Sequence, residues 1–261
     1  MPTIKINNIN MHYEITGEGQ PLLLLHGLGS SSRDWEKQIP AFAEYFQVIT
    51  FDARGHGSTD KPRGPYSISM FTEDTAAFMK AIDIGQAHVV GISMGGMIAF
   101  QVAVDHPELI RSMTIANATP ELLVQTFKDR MVVLQREFIV RLIGMRKMGE
   151  VLGARLFPKA EHDDIRNVFV ERWAENDSRA YLASMRSLVN WSVMEHIESI
   201  EIPTLVIAAD QDYTWIGEKE TFVAMMQNAE LVVIVDSRHA TPAEKPEEFN
   251  RVVMDFLAKQ R

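Results

Sequence analysis

The sequence predicts an α/β fold on a mostly parallel sheet of eight strands, flanked by helices and interrupted by one all-helical cap insertion. Three observations predict it. Short continuous apolar runs recur along the chain, segments with helical spacing separate them, and from about residue 119 to 195 the runs stop. Such a run suits a strand buried on both faces, because crossover helices cover both sides of a parallel sheet.

The first two strands differ from the rest. "TIKINN" and "MHYEIT" alternate with period two across Asn-rich turn residues, which predicts an antiparallel hairpin at one edge. The buried runs follow: "PLLLLHG", "QVITFDARGHG" near residue 50, "AHVVGIS" near 90, "SMTIAN" near 114, "PTLVIAAD" near 206 and "ELVVIVD" near 233. Helical spacing marks residues 34–45, 69–83, 94–105, 217–227 and 244–259. The last carries Phe249, Val252, Val253, Phe256 and Leu257 along one stripe. Alternation of this kind implies right-handed crossovers.

Residues 119–195 read as helices only, with Met131, Leu134, Phe138, Leu142, Met145, Met148 and Leu152 at helical intervals. Such a span is far longer than ordinary connections of about 4–6 residues. It predicts a helical cap over one end of a core domain made of residues 1–118 and 196–261.

Composition narrows the function classes. The 261 residues carry a net charge of −9 and only scattered basic residues, which argues against nucleic acid and anionic membrane surfaces as partners. No cysteine is present, so a thiol nucleophile, a disulfide and cysteine-ligated zinc are all excluded. The first residues, "MPTIKINNINMHYE", have neither a basic start nor an apolar core. No apolar run approaches the roughly 18–20 residues of a membrane helix. A cytoplasmic protein is expected.

One junction carries chemistry. Gly91-Ile92-Ser93-Met94-Gly95 fits G-x-S-x-G, follows a buried strand and opens a helix, the setting of a nucleophile elbow. A serine hydroxyl is a weak nucleophile at neutral pH and needs a base, which in turn needs an orienting group. Of the eight histidines, His12, His88, His106, His162 and His196 fall at edges, caps or boundaries. His239 follows the last buried strand on a loop before the final helix. That loop lies at the same sheet edge as Ser93. The stretch "PTLVIAADQDYTW" offers two carboxylates past its buried run, Asp210 nearer the strand and Asp212 further into the loop.

Four motifs, "HGLGSS" at 26–31, "DARGHGSTDKP" at 52–62, "GISMGG" at 91–96 and "RHATPAEKPEEF" at 238–249, carry a resemblance that spans almost the whole chain. The sequence resembles the α/β-hydrolase fold superfamily, in the cap-bearing branch of carboxylesterases, 3-oxoadipate enol-lactonases and carbon–carbon bond hydrolases. The resemblance implies Ser93 as nucleophile and His239 as base. It selects Asp212 as the acid, three residues after the small residue at the strand end. It implies that the backbone N–H groups of Leu28 and Met94 receive the oxyanion, and that the "DARGHG" turn with Asp52 and His56 is structural. No cofactor and no metal is implied. Two positions depart from the family pattern, which has glycine where this chain has Arg238 and Ala209.

The expected activity is cleavage of a small or medium apolar ester or lactone through an acyl-enzyme. Trp173, Trp191 and Met145 are the cap residues expected along the pocket. Hydrolysis of a carbon–carbon bond in a ring-fission product uses the same triad and is the second enzymatic reading. A non-catalytic ligand-binding protein on the same fold is the third.

Overall fold

The computed structural model describes residues 2–260. Thr3–Ile6 (β1) and Ile9–Thr16 (β2) pair antiparallel through a two-residue turn, Asn7-Asn8. Both asparagines adopt positive φ (39° and 63°), as the tight hairpin turn demands. The chain continues through Gln20–Leu25 (β3), Phe46–Phe51 (β4), Ile68–Ala81 (α1), Ala87–Ile92 (β5), Met94–Asp105 (α2) and Ile110–Ala116 (β6). Four helices then run in succession: Phe127–Leu142 (α3), Met145–Leu156 (α4), Asp163–Ala174 (α5) and Ser178–Leu188 (α6). Thr204–Ala209 (β7), Ile216–Met225 (α7), Ala229–Ile234 (β8) and Pro246–Ala258 (α8) complete the order.

The eight strands form one sheet in the order β1-β2-β4-β3-β5-β6-β7-β8. All neighbours from β4 to β8 run parallel, and only the β1–β2 and β2–β4 pairs are antiparallel. Period-two alternation divides each apolar run between two cores. Leu23, Leu25, Val89 and Val206 face α1 and α2, packing with Phe71, Phe78 and Phe100. Leu22, Leu24, Val90 and Ile207 face the other way, onto Phe249, Val253 and Phe256 of α8. Each such side chain contributes about 1.5–3 kcal/mol on full burial. The α8 stripe read from the sequence is therefore a core face.

Several expectations change. Residues 34–45 do not form one helix. A 3₁₀ turn, Ser32–Trp35, and a single helical turn, Ile39–Phe42, replace it, because Pro40 has no N–H to continue a helix and sits in the first turn of a new one. The segment from 244 begins later for the same reason, with Pro246 opening α8 after a separate turn, Thr241–Glu244. β8 is an edge strand, so its run is only half-buried rather than covered on both faces.

The insertion is not purely helical. Glu121–Leu122 pairs antiparallel with Trp191–Ser192, tying its beginning to its end. Its apolar stripe also splits. Met145, Met148 and Leu152 join Val140, Trp173, Tyr181 and Met185 in a small core of their own, whereas Met131, Leu134, Phe138 and Leu142 are exposed. Among the described residues no helix is long and apolar enough to cross a membrane.

Candidate active site

β5 delivers Ser93 into a sharp turn with φ 54° and ψ −117°, a conformation that an L side chain adopts only under constraint from its surroundings. The constraint is steric room and two backbone bonds. A Cβ on Gly91 would overlap the Gly95 carbonyl, and one on Gly95 would overlap the Leu25 carbonyl of the neighbouring strand. The Ser93 N–H donates to the Ala116 carbonyl (3.0 Å), and the Met97 N–H donates back to the Ser93 carbonyl (3.0 Å). Glycine at 91 and 95 is what lets the strand turn into α2 this tightly.

The two carboxylates after β7 do different things. Asp210 accepts the Ser237 N–H (3.1 Å), while Gln211 N–H donates to the Ser237 carbonyl (2.9 Å); this stitches the loop after β7 to the loop after β8. Asp212 has a fully buried side chain and accepts from His239 Nδ1 at 2.9 Å. It also accepts from the Tyr213 N–H (2.7 Å) and from the Thr214 hydroxyl. Behind Thr214 stands Lys219, completely buried, whose ammonium donates to the Thr214 hydroxyl (2.6 Å) and carbonyl (2.9 Å) and lies 3.7 Å from Asp212. Burial alone would raise the Asp212 pKa. The hydrogen bond and charge of His239, with those of Thr214 and Lys219, outweigh it and hold the carboxyl below its ordinary value.

With Nδ1–H committed to Asp212, His239 keeps its lone pair on Nε2, which is buried and has no hydrogen-bond partner. Tyr213 stacks on the imidazole with ring centroids 4.2 Å apart. Asn117, at the end of β6, fixes the loop from below. Its Nδ2 donates to the His239 carbonyl (2.9 Å) and the Thr241 hydroxyl (2.8 Å), and its Oδ1 accepts the Ala209 N–H (3.0 Å). One side chain thus ties the strand end before Asp212 to the loop of His239.

Arg238 and Ala209 fit without opening the turn. The Arg238 N–H and guanidinium both go to the buried Glu244 (2.6 and 3.3 Å), and Ala209 is buried at the end of β7.

The Leu28 and Met94 amides flank Ser93. An added Cβ at Gly27 would sit 3.6 Å from the Ser93 Cβ, which puts the 27–28 peptide beside the serine. The Gly27 carbonyl accepts from His26 Nδ1 (2.8 Å) and from the Ser30 N–H (3.2 Å), so the Leu28 N–H of the same trans peptide points the opposite way. Met94 opens α2, where a helix leaves its N–H groups unpaired and its dipole positive. The "DARGHG" turn supports this loop. His26 Nε2 accepts the Ala53 N–H (3.0 Å), and Asp52 accepts from the Ser32 and Ser58 N–H groups (2.8 and 2.7 Å). His56 is fully enclosed, and burial lowers its pKa to about 3, so it stays neutral at ordinary pH.

Ser93 and His239 open onto a cavity of about 1090 Å³ between the C-terminal strand ends and the insertion, with Leu28, Trp173, Met185 and Tyr213 in its wall. Of the three cap residues expected there, Trp173 is present, its indole seated against Gly29. Met145 and Trp191 are not. Met145 is consumed in the small core of the insertion, where its side chain packs away from solvent. Trp191 packs against the sheet-side core and donates its indole N–H to Gln101 (2.7 Å). Asn117, Thr214 and Lys219 are the site residues that sequence reasoning missed. The only signal for Asn117 was a polar residue ending a buried run.

The family model described as alpha/beta hydrolase fold matches residues 20–142. The chain is 27% identical over 258 residues to 3-oxoadipate enol-lactonase 2 of Acinetobacter baylyi, covering 96% of this chain and 94% of that protein. It is 29% identical over 270 residues to a putative carbamate hydrolase of Azorhizobium caulinodans, covering 99% of each. The crystal structure of the enol-lactonase from Burkholderia xenovorans LB400 superposes with a TM-score of 0.91 at 24% identity, over 98% of this chain and 100% of that one, a likeness of fold.

Proposed function

The chain is an α/β-hydrolase-fold protein, and from that premise we propose that it is a serine hydrolase cleaving a carboxylic ester or lactone. One observation carries the reading: His239 spends Nδ1–H on Asp212, which leaves its Nε2 without a partner, and it lines the same cavity as Ser93. In the proposed reaction Ser93 Oγ attacks the carbonyl carbon while His239 Nε2 takes its proton. The Leu28 and Met94 N–H groups receive the negative oxygen, where each such donor stabilises the transition state by about 2.7–4 kcal/mol. His239 then protonates the leaving oxygen, the C–O bond breaks, and an acyl-Ser93 ester remains. Water, deprotonated by the same nitrogen, releases the acid and restores the serine. Asp212 stays ionised throughout and holds the imidazole in the tautomer that can accept.

A panel of p-nitrophenyl esters, lactones and vinylogous diketones, run with wild type and Ser93→Ala, tests the proposal. Wild type turns over esters or lactones, a fluorophosphonate labels Ser93, and Ser93→Ala lowers kcat by about 10⁴-fold or more with the fold intact. Absence of both turnover and labelling would refute the hydrolase. Preference for the diketones would replace ester cleavage by carbon–carbon cleavage.

A further inference from the structure

Lys219 lies near the start of α7, and its side chain is completely buried. Lysine is almost never enclosed without partners, because taking an ammonium out of water costs far more than burying an apolar chain of the same length. It is not among the residues that line the cavity, so it does not meet substrate there. Its partners all belong to the loop of the triad acid. Nζ donates to the Thr214 carbonyl (2.9 Å) and to the Thr214 hydroxyl (2.6 Å). Asp212 Oδ2 stands 3.7 Å off, close enough to feel the charge but beyond hydrogen-bond distance.

The lysine fixes which way this chain of hydrogen bonds runs. An ammonium only donates, and a hydroxyl has a single proton. The Thr214 oxygen already accepts from Lys219, so its own proton goes to Asp212 Oδ2. The carboxylate is thereby held at both oxygens. Oδ1 takes the His239 Nδ1–H (2.9 Å) and the Tyr213 N–H (2.7 Å), while Oδ2 takes the Thr214 hydroxyl. Turning the carboxylate about its last bond breaks both sides at once. Placed directly on Asp212, an ammonium competes with the imidazolium for the same negative charge. With the hydroxyl between them, it orients the acid instead.

We propose that Lys219 is a positioning residue of the triad, acting through the Thr214 hydroxyl to lock the Asp212 carboxylate in the orientation that holds His239. This rests on the hydrolase reading for its effect on turnover but not for the relay itself. A lysine that only fastens the loop to α7 does its work through the Thr214 carbonyl, and the hydroxyl is then dispensable.

The hydroxyl separates the two roles. Thr214→Val removes the relay and keeps the carbonyl, Thr214→Ser keeps both, and Lys219→Met removes the cation at similar length. On the fastest substrate of the ester and lactone panel, Thr214→Val and Lys219→Met each lower kcat by about tenfold or more, the scale of a hydrogen bond to a charged group, with KM within about twofold. Thr214→Ser stays within about threefold of wild type. The double variant loses no more than the larger single loss, because both substitutions cut one chain. A second readout needs no turnover. The proton resonance of His239 Nδ1–H, assigned by its loss in His239→Gln, broadens by exchange with water in Thr214→Val and Lys219→Met and stays sharp in Thr214→Ser. Thr214→Val carries both tests by itself if circular dichroism shows that Lys219→Met has lost the fold. Unchanged kcat or an unchanged resonance in a folded variant, or losses that add in the double variant, would overturn the positioning role and leave the hydrolase standing. A resonance that depends on Lys219 and Thr214 in a protein that turns over nothing would uphold the relay and remove the hydrolase.

Discussion

Asp212 and Asp210 stand two positions apart and share a loop, yet only one reaches the imidazole. Asp210 is spent on the Ser237 N–H, and Asp212 receives His239, Tyr213 N–H and Thr214 together. Asp212→Asn is therefore expected to lower kcat by about 10⁴-fold, by presenting the wrong hydrogen-bond partner to Nδ1. Asp210→Asn, which keeps an acceptor for Ser237, lowers it by no more than a few-fold. Steady-state kinetics of the two variants decide the matter, and a large loss at 210 with little at 212 would reverse the assignment. From the residues alone both carboxylates remained open, because each lies past a buried strand. The choice came from the family resemblance, and the geometry supplies its reason: the residue nearer the strand is used up in joining two loops. Asn117 and Lys219 were hidden for a related reason. Each acts through partners more than 90 positions away or through a buried relay, and no local pattern encodes that.

The strands were legible because a strand covered on both faces must be apolar throughout, and "PLLLLHG", "AHVVGIS" and "PTLVIAAD" all lie in the interior. Helices were legible where no proline intervened. The insertion was misread in one respect, since helical periodicity reports an apolar face but not what covers it. Met148 lies in the small core at 3% exposure, whereas Phe138 of α3 is 57% exposed. Met148→Ala should thus destabilise the protein by about 2–5 kcal/mol. Phe138→Gln should change stability by no more than about 0.5 kcal/mol. Urea unfolding of both variants measures the difference, and a large loss from Phe138→Gln would mean that the α3 stripe is covered in solution.

At the scale of the whole molecule, the buried carboxylates link stability to pH. Burial raises the Asp52 pKa, but the nearby His26 and the N–H donors of Ser32 and Ser58 outweigh it, so Asp52, like Asp212, lies below its ordinary 3.8. A lowered folded pKa stabilises the fold fully above the unfolded value, and that stability is lost as pH falls through the folded one. Urea midpoints should accordingly be level with respect to these two groups above about pH 5 and fall below about pH 4, with a shallower fall in Asp52→Asn. An unchanged acid slope in that variant would remove Asp52 from the account. By itself the sequence determined the alternation of strands and helices, the place of the insertion and the strained serine between glycines. Those depend on local sterics and on the period with which apolar side chains meet a face. Only the tertiary structure decided which carboxylate meets His239 and which insertion residues wall the cavity. Those are contacts between distant parts of the chain, and they exist only once the sheet and the insertion have brought their edges together.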